Sequence, residues 1–199
     1  MMEAKTLLRQ AIRDRLARMS DTDRRVESQV ISRELVKLIG ADIKAVAVYM
    51  PYLDEPNIVS LITNLLEQKF VICMPKVDRN HMSMHQITSL EDVNRNPMTN
   101  ILEPTLDAPI DEAQIDCVIV PGRAFTKEGL RMGRGNGGYD RWITLQRKRN
   151  PKTNYIGVCF DCQIVQELPT ESHDERMDMV ITSTRTYGTE HAVHRMPQD

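Results

Sequence analysis

Four of the six residues from Gly133 to Gly138 are glycine, and the arginines Arg131 and Arg134 sit beside and within that run. Glycine allows positive φ and lets backbone amides come close to an oxygen, while amides at a helix start direct partial positive charge outward. That combination suits a phosphate group. The arginines add fixed charge in a fork that matches phosphate oxygens, and Asp140 could hold a Mg²⁺ that the same phosphates share. Tyr139 could pack on a planar ring. No GKS or GKT follows, so this is not a Walker A sequence, and Gly133–Gly138 meets the GxGxxG pattern by spacing alone. Without other residues, a flexible glycine turn with solvated arginines and an Asp140 that steadies a helix start explains the segment equally well.

Further residues carry chemistry elsewhere. Lys5 and Arg9 are four apart, which puts two cations on one helical face, either for a polyphosphate or simply for water. Glu55 follows an apolar run in a proline-flanked loop, where carboxylates of parallel α/β proteins often meet substrate, although a plain loop acid looks the same. Met50, at the end of that run, is placed to touch a ring. Cys159 and Cys162 form a lone CxxC, read as structural thiols beside Cys73 and Cys117. His81 and His85 share one strand face without further ligands and read as surface residues. Trp142 reads as core, Asp178 as a strand-orienting acid, and Glu103-Pro104 as a turn with a possible substrate-side contact.

The elements that must hold these groups follow from periodicity. Ala4 to Met19 is expected to be helical, and Ser20 with Asp23 is a capping signal for a second helix that runs to Gly40. Lys44 to Met50 predicts a strand, Asn57 to Gln68 a helix, and Phe70 to Met74 a strand closed by Pro75, a unit that favours parallel pairing. His81 to Ile87 alternates like an antiparallel edge strand. Asn94 to Pro109 reads as irregular, Asp116 to Pro121 as a central strand, and a helix starts near Gly137. Tyr155 to Phe160 and Asp178 to Thr182 supply later strands. Residues 183–199 read as a polar, peripheral tail.

At 199 residues the chain fits a single domain, 1–199, with a core of its own. With 26 basic against 28 acidic residues there is no overall field for nucleic acid or an anionic membrane, so any anion site must be local. No apolar run is long enough to span a bilayer, and Met1 to Gln10 lacks a signal-peptide core. The expectation is a cytoplasmic monomer with small-molecule partners, without coiled-coil heptads.

The pattern DxxxVPGxxFxxxGxRxGxGxGxYD, here Asp116, Val120-Pro121-Gly122, Phe125, Gly129, Arg131, Gly133, Gly135, Gly137 and Tyr139-Asp140, resembles the 5-formyltetrahydrofolate cyclo-ligases. Lys5 and Arg9, Glu55, and His173-Asp174 with Asp178 match that family's other anchors in order. The resemblance implies a three-layer α/β fold of the NagB/RpiA/CoA-transferase kind, with a mainly parallel sheet and two N-terminal helices. It implies a ligase that uses Mg²⁺ and ATP to close a folate ring. ATP would be met by Lys5, Arg9, Arg131, Met132, Gly133, Arg134, Gly135, Asn136, Gly137, Gly138 and Tyr139. The folate would be met by Met50, Glu55, and Arg134 to Gly138, with Glu55 on the pterin. Arg131 and Arg134 would act in catalysis, and Asp140 with Asp174 would hold the metal. Two positions depart from the family: Gly138 stands where many members have an aromatic residue, and Asn136 where others have lysine or glycine. A non-catalytic binder of nucleotide and folate on the same fold is the alternative these departures leave open.

Overall fold

The two opening helices form where the apolar spacing and the cap signal place them. In a computed structural model, which describes residues 2–40, 42–79, 81–97, 100–171 and 174–189, α1 spans Met2–Ala17 and α2 spans Asp21–Leu38. Ser20 Oγ accepts the Asp23 N–H at 3.1 Å and Asp23 Oδ2 accepts the Ser20 N–H at 3.3 Å, a reciprocal capping box. After β1 (Ala45–Ala47) come α3 (Val59–Glu67), β2 (Val71–Asp78) and β3 (His81–Ile87). A hairpin of β4 (Val93–Arg95) and β5 (Leu102–Pro104) precedes β6 (Cys117–Pro121). A second hairpin, β7 (Ala124–Phe125) and β8 (Arg131–Met132), leads to α4 (Gly138–Arg149). The strands β9 (Asn154–Val158), β10 (Met179–Ile181) and β11 (Thr186–Gly188) follow.

Seven strands make the central sheet in the order β11-β10-β9-β6-β1-β2-β3. The five inner strands run parallel, and β3 and β11 pair antiparallel at the two edges. Alternating side chains split the core in two, as the two-residue strand period requires. Val46, Ile72, Ile119 and Ile156 pack against Ile31 and Leu35 of α2 and Leu61 and Leu65 of α3. Ala47, Cys73, Val118 and Val180 join a second cluster with Trp142 and Ile143 of α4. Helices therefore cover both faces of a mostly parallel sheet. No described helix is long and apolar enough to cross a membrane.

α1 lies apart from both face clusters, with Ile12 and Leu16 buried against Ala124, Met132 and Phe160. Full burial of such side chains contributes about 1.5–3 kcal/mol each. This small apolar anchor, rather than charge, fixes the helix that carries Lys5 and Arg9. Leu7, on the same helix, is 66% exposed.

Four expectations require correction. β2 runs through Pro75 to Asp78 instead of ending there. Pro75 faces Met84, whose N–H goes to Glu112 Oε1 and whose carbonyl accepts from Ile110, so the pair needs no ladder bond from Pro75, which also lies past the last β1 partner, Cys73. The stretch 94–109 is not structureless, since β5 sits within it and pairs with β4. His85 is buried, not a surface residue, because the 107–110 segment bridges to β3 and covers it. Within the expected tail, β11 adds an edge strand to the sheet, while 190–199 lie outside the described residues.

Candidate active site

In the sheet order, β1 is followed on one side by β2 and on the other by β6, so successive connections depart in opposite directions from the β1–β6 junction. Such a switch point opens a crevice at the carboxyl ends of its strands. Here Tyr49, Met50, Tyr52 and Glu55 follow β1, Pro121 and Gly122 close β6, and all of them line one cavity of about 560 Å³. The same cavity is lined by Lys5, Arg9, every residue from Arg131 to Asp140, and Asp174. Residues expected to act together, from both ends of the chain, thus share one space. His173 lies outside the described residues.

The glycine segment enters α4 through Gly137, which caps the helix at φ 64° and has no side chain to offer. Asn136 Oδ1 accepts the Gly138 N–H at 3.3 Å, and the helix start faces the cavity. At Gly135, φ is +113°, and the Arg9 guanidinium lies 3.5 Å from where a Cβ would stand. Arg9 Nε also donates to the Gly133 carbonyl at 3.2 Å, so α1 is tied directly to the loop.

Each candidate charge already has a partner. Arg131 is buried and donates from Nη2 to Asp140 Oδ1 at 2.8 Å and from Nη1 to the Pro121 carbonyl at 3.2 Å, with its guanidinium 5.5 Å from the Tyr139 ring centre. Arg134 donates to Asp54 at 2.7 Å and to Glu55 at 2.8 and 3.1 Å, and stacks 4.5 Å from the Tyr52 ring centre. Glu55 also accepts the Tyr52 N–H at 2.9 Å. Asp54 in turn pairs with Arg123, tying that arginine to the Arg134 cluster. Burial, together with Arg134, Arg13 and Arg9 nearby, lowers the Arg123 guanidinium to about 10. Burial, with Glu55 adding to it, pushes the Tyr139 phenol up, so that it stays a neutral hydroxyl on the cavity wall.

Lys5 Nζ donates to Asp174 Oδ2 at 3.0 Å and lies 3.6 Å from Glu171. Among the described residues no three His, Cys, Asp or Glu side chains converge as a metal cluster. Mg²⁺ needs fewer, since one or two carboxylates and phosphate oxygens complete its shell. Asp140 and Asp174 fit that requirement: both are carboxylates on the cavity wall, and each now faces a cationic side chain that a divalent ion could replace.

The other candidates divide clearly. Trp142 is core, with Nε1 donating to Glu112 at 3.0 Å, and Asp178 accepts the Tyr155 N–H at 2.8 Å next to β10. The four cysteines are free, and burial raises the Cys159 thiol well above its ordinary range, the opposite of an activated redox thiol. Tyr52 and Asp54 were not singled out by sequence, although both flank Glu55 in the same loop. Glu103 is buried at 6% exposure on the cavity wall, not in an open turn.

Residues 1–183 match the model of the 5-formyltetrahydrofolate cyclo-ligase family. The chain is 26% identical to the mouse 5-formyltetrahydrofolate cyclo-ligase, over 89% of this chain and 93% of that one. It is 30% identical to the Haemophilus influenzae protein of the same name, over 84% and 91%. The solution structure of the Aquifex aeolicus 5,10-methenyltetrahydrofolate synthetase superposes with a TM-score of 0.81 at 28% identity, over 94% and 93% of the two chains. The chain belongs to the 5-formyltetrahydrofolate cyclo-ligase family.

Proposed function

We propose that this protein catalyses the ATP- and Mg²⁺-dependent cyclisation of 5-formyltetrahydrofolate to 5,10-methenyltetrahydrofolate, with release of ADP and phosphate. One observation carries the reading: a phosphate-suited loop, two cations from α1, two carboxylates and an apolar wall with Met50 and Met82 line a single cavity. The loop and cations suit a polyphosphate, and the apolar wall suits a flat ring.

The formyl oxygen attacks the γ-phosphate of ATP, and ADP departs. The phosphorylated formyl group is then attacked by the side-arm amine, and phosphate leaves as the ring closes. An amide oxygen is a poor nucleophile and a formyl oxygen a poor leaving group, so phosphorylation serves both steps. No protein nucleophile is required, and the work is positioning and charge stabilisation. Lys5 and Arg9 receive the polyphosphate with the amides of Gly133–Gly138, beside Met132 and Tyr139. Arg131 and Arg134 stabilise charge on the transferring group. Met50 and Glu55 line the folate side. Mg²⁺, held by Asp140 and Asp174, supplies charge neutralisation on the phosphates when bound. The helix-sheet-helix architecture supports assignment to the NagB/RpiA/CoA-transferase group by analogy, and we read the protein as a cytoplasmic monomer.

The test is to mix purified protein with Mg-ATP and 5-formyltetrahydrofolate and follow the near-ultraviolet band of the methenyl product. Growth of the band with stoichiometric phosphate is expected. ATP binding without product would reject the enzyme in favour of a nucleotide-binding regulator.

A further inference from the structure

Glu103 is a buried carboxylate with one oxygen unclaimed. Oε2 accepts from Asn96 Nδ2 at 2.9 Å, across the β4–β5 hairpin, whereas Oε1 is buried and has no hydrogen-bond partner. Among the described residues no Lys, Arg or His forms an ion pair with it. The wall around the cavity includes Met50, Pro75, Val77, Met82, Ile101 and Leu102, which give it little compensation. An unpaired buried charge is costly and persists where a ligand completes it. Glu55, the other carboxylate on this side, has both oxygens occupied, Oε2 by the Tyr52 N–H and Oε1 by Arg134. The open acceptor therefore belongs to Glu103.

We propose that Glu103 is a specificity-determining residue, whose Oε1 accepts a hydrogen bond from the amino-pyrimidinone N–H edge of the folate ring. Asn96 holds the carboxylate by its Oε2, within a residue that lines the cavity, and a ligand would reach the buried Oε1 from that wall. A flat bicycle with an amino group and an adjacent ring N–H presents donors to such an oxygen while its faces meet the apolar wall. ATP would be insensitive to Glu103, because its phosphates belong with Lys5, Arg9 and the glycine loop. The ligand here is the folate substrate proposed above, so the assay must separate a failure of that reading from a failure of this one.

The variant is Glu103→Gln, which keeps shape and can keep the Asn96 bond through its carbonyl while setting an NH₂ where Oε1 was. A donor then meets a donor. KM for 5-formyltetrahydrofolate is expected to rise roughly 10- to 100-fold, with KM for ATP unchanged. The ligand-free variant should melt no lower than the parent, since a buried unpaired charge has been removed. A purely structural Glu103 would give the reverse pattern, a lower Tm and an unchanged KM. A 2-desamino folate analogue completes the test: the parent should bind it about as weakly as Glu103→Gln binds the natural folate, and the two losses should not multiply. Equal folate KM in parent and variant, or fully multiplicative losses, overturns the assignment. If the parent itself neither turns over nor binds 5-formyltetrahydrofolate, it is the proposed reaction that has failed.

Discussion

Lys5 Nζ lies 3.0 Å from Asp174 Oδ2, joining the first helix to the loop before β10 across 169 residues of chain. Without ligand, a cation suited to phosphate and a carboxylate suited to metal neutralise each other. Mg-ATP would part them by giving each a stronger partner. The pair is largely buried, with 13% of the Lys5 and 12% of the Asp174 side chain exposed, so removal of Lys5 leaves a carboxylate short of its cation. Lys5→Met should therefore lower Tm by about 5 °C, while KM for ATP rises roughly 10- to 100-fold. Thermal melts and steady-state kinetics decide it, and an unchanged ATP KM would remove Lys5 from the site.

Asp140 differs from Asp174 because its partner, Arg131, is buried, with 3% of the side chain exposed. Removal of one member of a buried pair strands the other, at a cost of about 3–5 kcal/mol. Asp140→Ala should thus lose both activity and stability, with Tm lowered by about 10 °C. Asp174→Asn is the cleaner probe of metal use: its melt should stay near that of the parent, while the Mg²⁺ concentration needed for half-maximal rate rises. A normal Mg²⁺ dependence in Asp174→Asn would exclude it as a ligand.

Gly138 has room for a Cβ. An added Cβ would stand 3.7 Å from its nearest neighbour, Asn136 Oδ1, and the backbone there has no positive φ. Gly138→Tyr should fold with stability equal to or about 1 kcal/mol above the parent, from helix propensity. With a ring on the cavity wall, KM for the folate should fall. If folate KM stays the same or rises, the wall is complete without that ring.

Asp161 accepts hydrogen bonds from Ser183 Oγ at 2.6 Å and Thr184 Oγ1 at 2.8 Å. Partial burial opposes its charge, but the Ser183, Thr182 and Thr184 bonds outweigh it and hold the carboxyl below its ordinary value of 3.8. A carboxyl lowered in the folded state stabilises fully above that ordinary value, and its contribution is lost as pH falls through the lower, folded one. Asp161→Asn should accordingly lower Tm at pH 7 by about 3 °C, and the gap should close as the pH drops below 3.8. A gap independent of pH would show that the charge is not what matters.

Local signals were readable in the chain. Ser20 with Asp23 marked the α2 cap, the alternation from His81 to Ile87 gave β3 its bounds, and the glycine-arginine segment marked the cavity wall. What escaped depends on distant cover or on very short elements. His85 looks like surface until the 107–110 segment lies over it. β4 and β5 are three residues each, too short for a period to emerge among the asparagines and prolines. Pro75 misled because proline ends a strand only when its N–H is needed, and that depends on the neighbour. Likewise, the Glu103-Pro104 pair hints at a turn, and only the β4–β5 hairpin turns that glutamate inward.

The bond between Lys5 and Asp174 also has a temporal meaning. A ribosome makes Lys5 169 residues before it makes Asp174. A nascent chain can build α1, α2 and the first strands, yet Lys5 lacks its Asp174 partner until residue 174 arrives. Catalytic competence therefore comes late and all at once, and an interrupted translation product should be inert rather than partly active.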